Sequence, residues 1–125
     1  MKKRYITIIA VFILWAGAGF AQKETNKWYF GQSAALDFNS GVPVSLLSSQ
    51  CNTSEGSASI SDTAGNLLFY TDGSFVWNKN NQIMSNGTGL MGNYSSSQSA
   101  LIVPLPGSDS LYYVFTLSEE ASVNG

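Results

Sequence analysis

The chain reads as all-β: an incomplete, antiparallel β-propeller-like array of about one and a half to two blades, preceded by N-terminal strands. Three observations carry that expectation. Ser57-Ala58-Ser59-Ile60-Ser61, a turn and Leu68-Phe69-Tyr70-Thr71 are echoed by Ser99-Ala100-Leu101-Ile102-Val103, a turn and Tyr113-Val114-Phe115-Thr116. Ala58, Ile60 and Gly65 recur 42 residues on, and after three extra turn residues Thr71 recurs 45 residues on, a spacing at which self-similarity in a β-rich chain marks propeller blades. Beyond the N-terminal leader the apolar residues alternate or run in short blocks between Gly, Asn and Asp turns, without helical periodicity.

Residues 1–21 read as a signal peptide. Lys2, Lys3 and Arg4 are followed by an uncharged, mostly apolar run from Ile6 to Ala18, and Gly19-Phe20-Ala21 places small residues where a signal peptidase reads them. That run is shorter than the roughly 20 residues a bilayer span requires, so no membrane span is expected once the leader is cut. Cleavage would leave three basic residues against eight acidic ones, a net charge of −5. Such a surface lacks the basic stripe that neutralises phosphates, so nucleic acid is not an expected partner.

Residues 22–56 supply N-terminal strands, read as a contribution to a ring-closing blade. Trp28-Tyr29-Phe30 opens them; Ala35–Phe38 and Val42–Leu47 flank Asn39-Ser40-Gly41, a short connection with Gly where left-handed backbone is wanted. Pro43 suits an edge strand because it cannot donate to a ladder. Residues 57–84 form the first full blade. Ser57–Ser61 alternates Ser with Ala58 and Ile60; Asp62 and Gly65 close a turn; Leu67–Tyr70 is apolar on both faces, hence interior; Phe75–Trp77 and Gln82–Met84 are the third and fourth strands. Residues 85–98, rich in Ser, Asn and Gly, read as a connector, and residues 99–125 as the start of a second, truncated blade. With only part of an array to cover them, Leu67–Tyr70 and Leu111–Leu117 are expected to stay exposed and prone to association.

The strings Trp28-Tyr29-Phe30-Gly31, Asn39-Ser40-Gly41, Thr53-Ser54-Glu55-Gly56, Ser59-Ile60-Ser61-Asp62, Gly65-Asn66-Leu67-Leu68-Phe69-Tyr70-Thr71-Asp72-Gly73, Val76-Trp77-Asn78 and Asn86-Gly87-Thr88-Gly89-Leu90 resemble the N-terminal region of large secreted Bacteroidetes surface proteins. These are the gliding-motility-associated proteins that end in a type B sorting domain read by the type IX secretion system. The resemblance implies a propeller-like domain with further blades and a sorting domain following in cis, and an extracellular or outer-membrane location. It brings no catalytic residues with it.

The side-chain chemistry points the same way. With no His, the chain cannot supply a Ser-His or Cys-His pair. The acids stand singly except Glu119-Glu120, whose side chains on a strand would point to opposite faces. No catalytic residue, metal site or cofactor is therefore expected. Cys51, the only cysteine, reads as a small, partly buried apolar residue, with an intermolecular bridge or a reactive thiol as the alternatives. Glu55 and Asp72, each beside a Gly at a blade entrance or turn, have turn closure as their plain role and ligand contact as their sharper one. Trp77 reads first as packing between blades and second as a platform for a sugar ring; Tyr94, with no apolar strand around it, has an equal claim to either. Thr63 and Ser110 lie in Asp62-Thr63-Ala64 and Asp109-Ser110-Leu111, which resemble the O-glycosylation signal of exported Bacteroidetes proteins.

These features favour an exported cell-surface binding or scaffold module without catalytic activity, acting in adhesion, gliding or glycan capture, with a surface glycan or a protein as ligand. Two other readings stay open. One is the front of a propeller enzyme, lactonase or glycan-cleaving, whose catalytic groups lie beyond residue 125. The other is an incomplete product with no activity of its own.

Overall fold

The computed structural model describes residues 23–118; the leader and Glu119-Glu120 lie outside the described residues. Among the described residues every regular element is a strand: β1 (Lys27–Phe30), β2 (Ala34–Asp37), β3 (Val44–Leu46), β4 (Ala58–Ser61), β5 (Leu67–Thr71), β6 (Val76–Asn78), β7 (Ala100–Pro104) and β8 (Tyr112–Thr116). They form three small sheets, β1-β2-β3, β4-β5-β6 and β7-β8, with every pairing antiparallel. Sheets 1, 2 and 3 below follow that order. Among the described residues no helix is long and apolar enough to cross a membrane.

Local chemistry accounts for most of these elements. In the turn between β4 and β5, Asp62 Oδ1 accepts from the backbone amides of Ala64 and Asn66 at 2.9 and 2.8 Å, and Gly65 takes φ +87°, a conformation a Cβ would disfavour. β5 is the central strand of its sheet and is buried almost throughout, as its apolar content on both faces requires. β3 is an edge strand that begins one residue after Pro43. The sequence repeat is also a repeat of register: Ala58 pairs with Thr71 and Ile60 with Phe69, just as Ala100 pairs with Thr116 and Ile102 with Val114. A β-bulge between Ile60 and Ser61 has no counterpart in the β7–β8 ladder.

The core lies between sheets 1 and 2. Tyr29, Ala35 and Leu46 from sheet 1 pack with Leu67, Tyr70 and Trp77 from sheet 2, and Cys51 from the intervening loop fills the same cluster. Tyr70 is sandwiched: its ring centroid lies 4.3 Å from that of Tyr29 and 5.3 Å from that of Trp77, with interplanar angles of 28° and 19°. The other face of sheet 2 meets sheet 3, where Phe69 and Tyr112 make an edge-to-face contact at 5.3 Å. Serine hydroxyls tie the first strand of each sheet to the one before. Ser57 and Ser59 donate to the Tyr29 and Lys27 carbonyls at 2.9 and 2.7 Å, and Ser99 donates to the Gly56 carbonyl at 2.6 Å.

Two expectations need correction. Gln82–Met84 is not a full fourth strand but a single Trp77–Ile83 bridge, flanked by bonds from Asn78 N to Gln82 O and from Met84 N to Val76 O, both 2.9 Å. Left-handed backbone at Asn81 (φ 61°) and Asn86 (φ 60°) curtails the segment at both ends. Leu67, Phe69 and Tyr70 are not left uncovered; all are buried, because sheets 1 and 3 take one face of β5 each. The expectation of exposure holds for one face of β8 and its flanks, where Leu111, Tyr113, Phe115 and Leu117 are each at least half exposed, but not for Tyr112, which packs on Phe69.

Candidate functional site

The connector is a seam and not a slack loop. Its residues bond to two earlier segments: Ser54 N and Thr53 Oγ1 donate to the Tyr94 carbonyl at 3.0 and 2.7 Å, Gly56 N donates to Ser96 O at 3.0 Å, and Gly92 N donates to Gly73 O at 2.9 Å. Glycine makes this closeness possible. A Cβ on Gly56 would stand 2.4 Å from Ser99 N, one on Gly73 2.6 Å from Ser99 O, and one on Gly92 2.4 Å from Gly73 O, far inside van der Waals contact.

The seam sorts the four ligand candidates. Glu55 and Tyr94 come together in one exposed loop cluster, since segments 53–56 and 94–97 are bonded to each other along their length. Glu55 Oε2 accepts from Ser97 Oγ at 2.7 Å. The Tyr94 side chain is 61% exposed while its carbonyl is held by two donors, so the aromatic ring is presented from a fixed backbone. Asp72 takes its plain role: it is buried, and its Oδ1 accepts from the amides of Ser74 and Phe75 at 2.8 Å each. Trp77 likewise packs, 7% exposed, against Tyr70 and Phe75.

Thr63 and Ser110 are both exposed, in the β4–β5 turn and the longer β7–β8 loop respectively. Between those two hairpin ends opens a cleft of about 540 Å³, walled by Ile60, Leu68, Pro104 and Tyr112 and rimmed by Asp62 and Asp109. Bonds from the Asn66 side-chain amide, then from nearby backbone, hold the Asp62 carboxyl below the ordinary carboxylate range.

Charge elsewhere is sparse and structural. Lys27 and Asp37, cross-strand partners on β1 and β2, form an ion pair that lowers the Asp37 pKa, chiefly through the hydrogen bond from the ammonium. Cys51 is fully buried, and desolvation followed by the nearby Asp72 charge pushes its thiol up to about 12, the behaviour of a packing residue and not of a nucleophile. Among the described residues no group of three or more acidic or cysteine side chains is placed to hold a metal ion. Compared with protein-family models, curated proteins and solved structures, the chain matches none.

Proposed function

We propose that this chain is an exported cell-surface binding module, built as a propeller-like array of small sheets, that captures glycan through the loop cluster carrying Glu55 and Tyr94. The observation that carries the reading is the presentation of the Tyr94 ring: exposed, fixed from behind by Thr53 and Ser54, and in the same cluster as a carboxylate. A flat apolar ring in one loop cluster with an acceptor suits the alternating CH faces and hydroxyl edges of a sugar. The leader and the resemblance to gliding-motility-associated surface proteins support export and a scaffold or adhesion role. The shared register of the two hairpins, with sheets stacked in series, supports the array.

The test is binding of the purified chain to immobilised neutral and acidic oligosaccharides, followed by calorimetry on any that bind. Tyr94→Ala is expected to weaken binding ~10-fold or more, equivalent to about 1.4 kcal/mol, and Glu55→Gln to weaken it less. Asp72 and Trp77 variants that remain folded should bind normally. Unchanged affinity in Tyr94→Ala removes this site from the reading.

A further inference from the structure

Charge is distributed unevenly between the two ends of the hairpins. Among the described residues the cations are Lys23, Lys27 and Lys79, and all three lie at the end where the β4–β5 hairpin turns. Lys27 and Lys79 line one cleft with Asp62, Asn66 and Asn80. Lys23 adjoins Glu24, whose carbonyl accepts from the amide of Ser61, the last residue of β4, at 2.8 Å. At the opposite end segments 53–56, 72–74 and 92–97 meet, and there Glu55 and Asp72 stand without any cation. Both carboxylates are held by neutral donors: Glu55 Oε2 by the Ser97 hydroxyl at 2.7 Å, Asp72 Oδ1 by two backbone amides of its own turn. The one ion pair among the described residues, Lys27–Asp37, is at the far end.

We infer that the glycan taken by the Glu55–Tyr94 cluster carries free amino groups: a hexosamine chain whose ammonium pairs with the Glu55 carboxylate while a sugar CH face lies on the Tyr94 ring. This rests on the glycan-capture reading and names its substrate class. An ammonium brings three donors, and a carboxylate already accepting one hydroxyl has room for a second, charge-assisted bond. The face of a tyrosine ring attracts cations as well as CH groups. The tie to Ser97 restrains Glu55, reducing the side-chain entropy that weakens most exposed ion pairs. Uronic and sulfated sugars are disfavoured by the same arrangement, since no Lys or Arg stands at this end to receive an acid group.

Calorimetry on the purified chain, with circular dichroism to verify folding, tests this with three probes of equal length: oligomers of glucosamine, of N-acetylglucosamine and of galacturonic acid. The glucosamine oligomer is expected to bind ~3- to 5-fold more tightly than its acetylated counterpart, the size of an exposed ion pair, and galacturonate most weakly. Sodium chloride at about 1 M, where the Debye length is roughly 3 Å, should level the first two. Glu55→Gln should abolish the preference, and Tyr94→Ala should weaken both. Asp109→Asn removes one negative charge at the far end, on the rim of the cleft shared with Asp62, and should leave the preference unchanged. Equal affinity for the amino and acetylated oligomers overturns the amino-sugar assignment, as does a preference that survives in Glu55→Gln or falls as far in Asp109→Asn; glycan capture then stands if Tyr94→Ala still weakens binding. Tighter binding of galacturonate overturns the assignment as well. Failure of the folded chain to bind the glucosamine oligomer does the same, and failure across the wider panel of neutral and acidic oligosaccharides removes glycan capture with it.

Discussion

Removing one oxygen from the centre of the core should cost more than its size suggests. The Tyr70 hydroxyl accepts from Gln50 N at 2.9 Å and donates to Asn81 Oδ1 at 2.9 Å, pinning the loop after sheet 1 and the turn after β6 to one fully buried side chain. Tyr70→Phe keeps the ring sandwich and deletes both bonds. Each is worth roughly 0.5–1.5 kcal/mol net, so the expected loss is about 1–3 kcal/mol. Tyr70→Leu also forfeits the ring contacts to Tyr29 and Trp77, at roughly 0.5–1.5 kcal/mol each, for a total of about 2–6 kcal/mol. Domains of this size hold only about 5–15 kcal/mol in all, so the second variant should be close to unfolding. Urea unfolding followed by tryptophan fluorescence and circular dichroism measures both. Combining Tyr70→Phe with Asn81→Ala should show coupling near 1 kcal/mol, since the two changes remove one shared bond. A Tyr70→Phe loss below about 0.5 kcal/mol, or full additivity in the cycle, would refute the claim that this hydroxyl joins the two segments.

Stability should fall on the alkaline side. Cys51, pushed from 9.0 to about 12, and Tyr70, raised from 10.0 chiefly by burial, both hold their protons in the folded chain to higher pH than in the unfolded one. Their contribution is complete below pH 9 and is lost as the pH climbs through the folded values, by up to about 1.4 kcal/mol per pH unit for each group. Cys51→Ala should flatten the part of that loss that begins at pH 9, and Cys51 itself should resist alkylation at neutral pH until the chain is unfolded. Gly65→Ala and Gly41→Ala should differ: both positions have positive φ, +87° and +82°, costing roughly 1–2 kcal/mol each. A methyl at residue 65 also meets Asn39 Oδ1 at 2.0 Å whereas one at residue 41 meets nothing, so thermal melts should rank Gly65→Ala clearly lower. Lys27→Met should return the Asp37 pKa toward 3.8, read by carboxyl NMR titration, yet cost less than about 1 kcal/mol, because the pair is partly solvated.

What could be read from the chain beforehand divides along the reach of the interaction. The β4–β5 hairpin was legible because its determinants are local: Ser alternating with Ala58 and Ile60, Asp62 closing its own turn, Gly65 free of a Cβ. The paired hairpin at Ala100–Thr116 followed from the repeat. By contrast, the β1–β2 turn places Gln32 and Ser33 at φ 55° and 59°, and neither residue advertises left-handed backbone. Its support is a bond from Ser33 N to Cys51 O at 2.8 Å, eighteen residues away in sequence. The cover over β5 was missed for the same reason, since Tyr29, Ala35 and Leu46 are distant in sequence and each looks unremarkable alone. In the candidate site, Glu55 and Tyr94 were individually visible as a turn acid and an unburied aromatic. Their grouping depends on carbonyl bonds across some forty positions, which no composition or spacing encodes.

The glycine seam assigns different evolutionary freedom to the two ends of the hairpins. Where Gly56 and Gly73 crowd Ser99 and Gly92 crowds Gly73, main chain lies against main chain, and side-chain growth or length change there would pry sheets 2 and 3 apart. Of the opposite ends, Asp62–Asn66 is held by Asn39, whose side-chain amide donates to the Gly65 carbonyl at 2.8 Å, whereas a Cβ on Gly107 within Leu105–Leu111 would meet nothing within 4 Å, and that loop is already the longer of the two. Length polymorphism and engineered insertions belong at that second tip. A peptide graft at Ser110 would display foreign sequence while leaving the spacing of the sheets untouched.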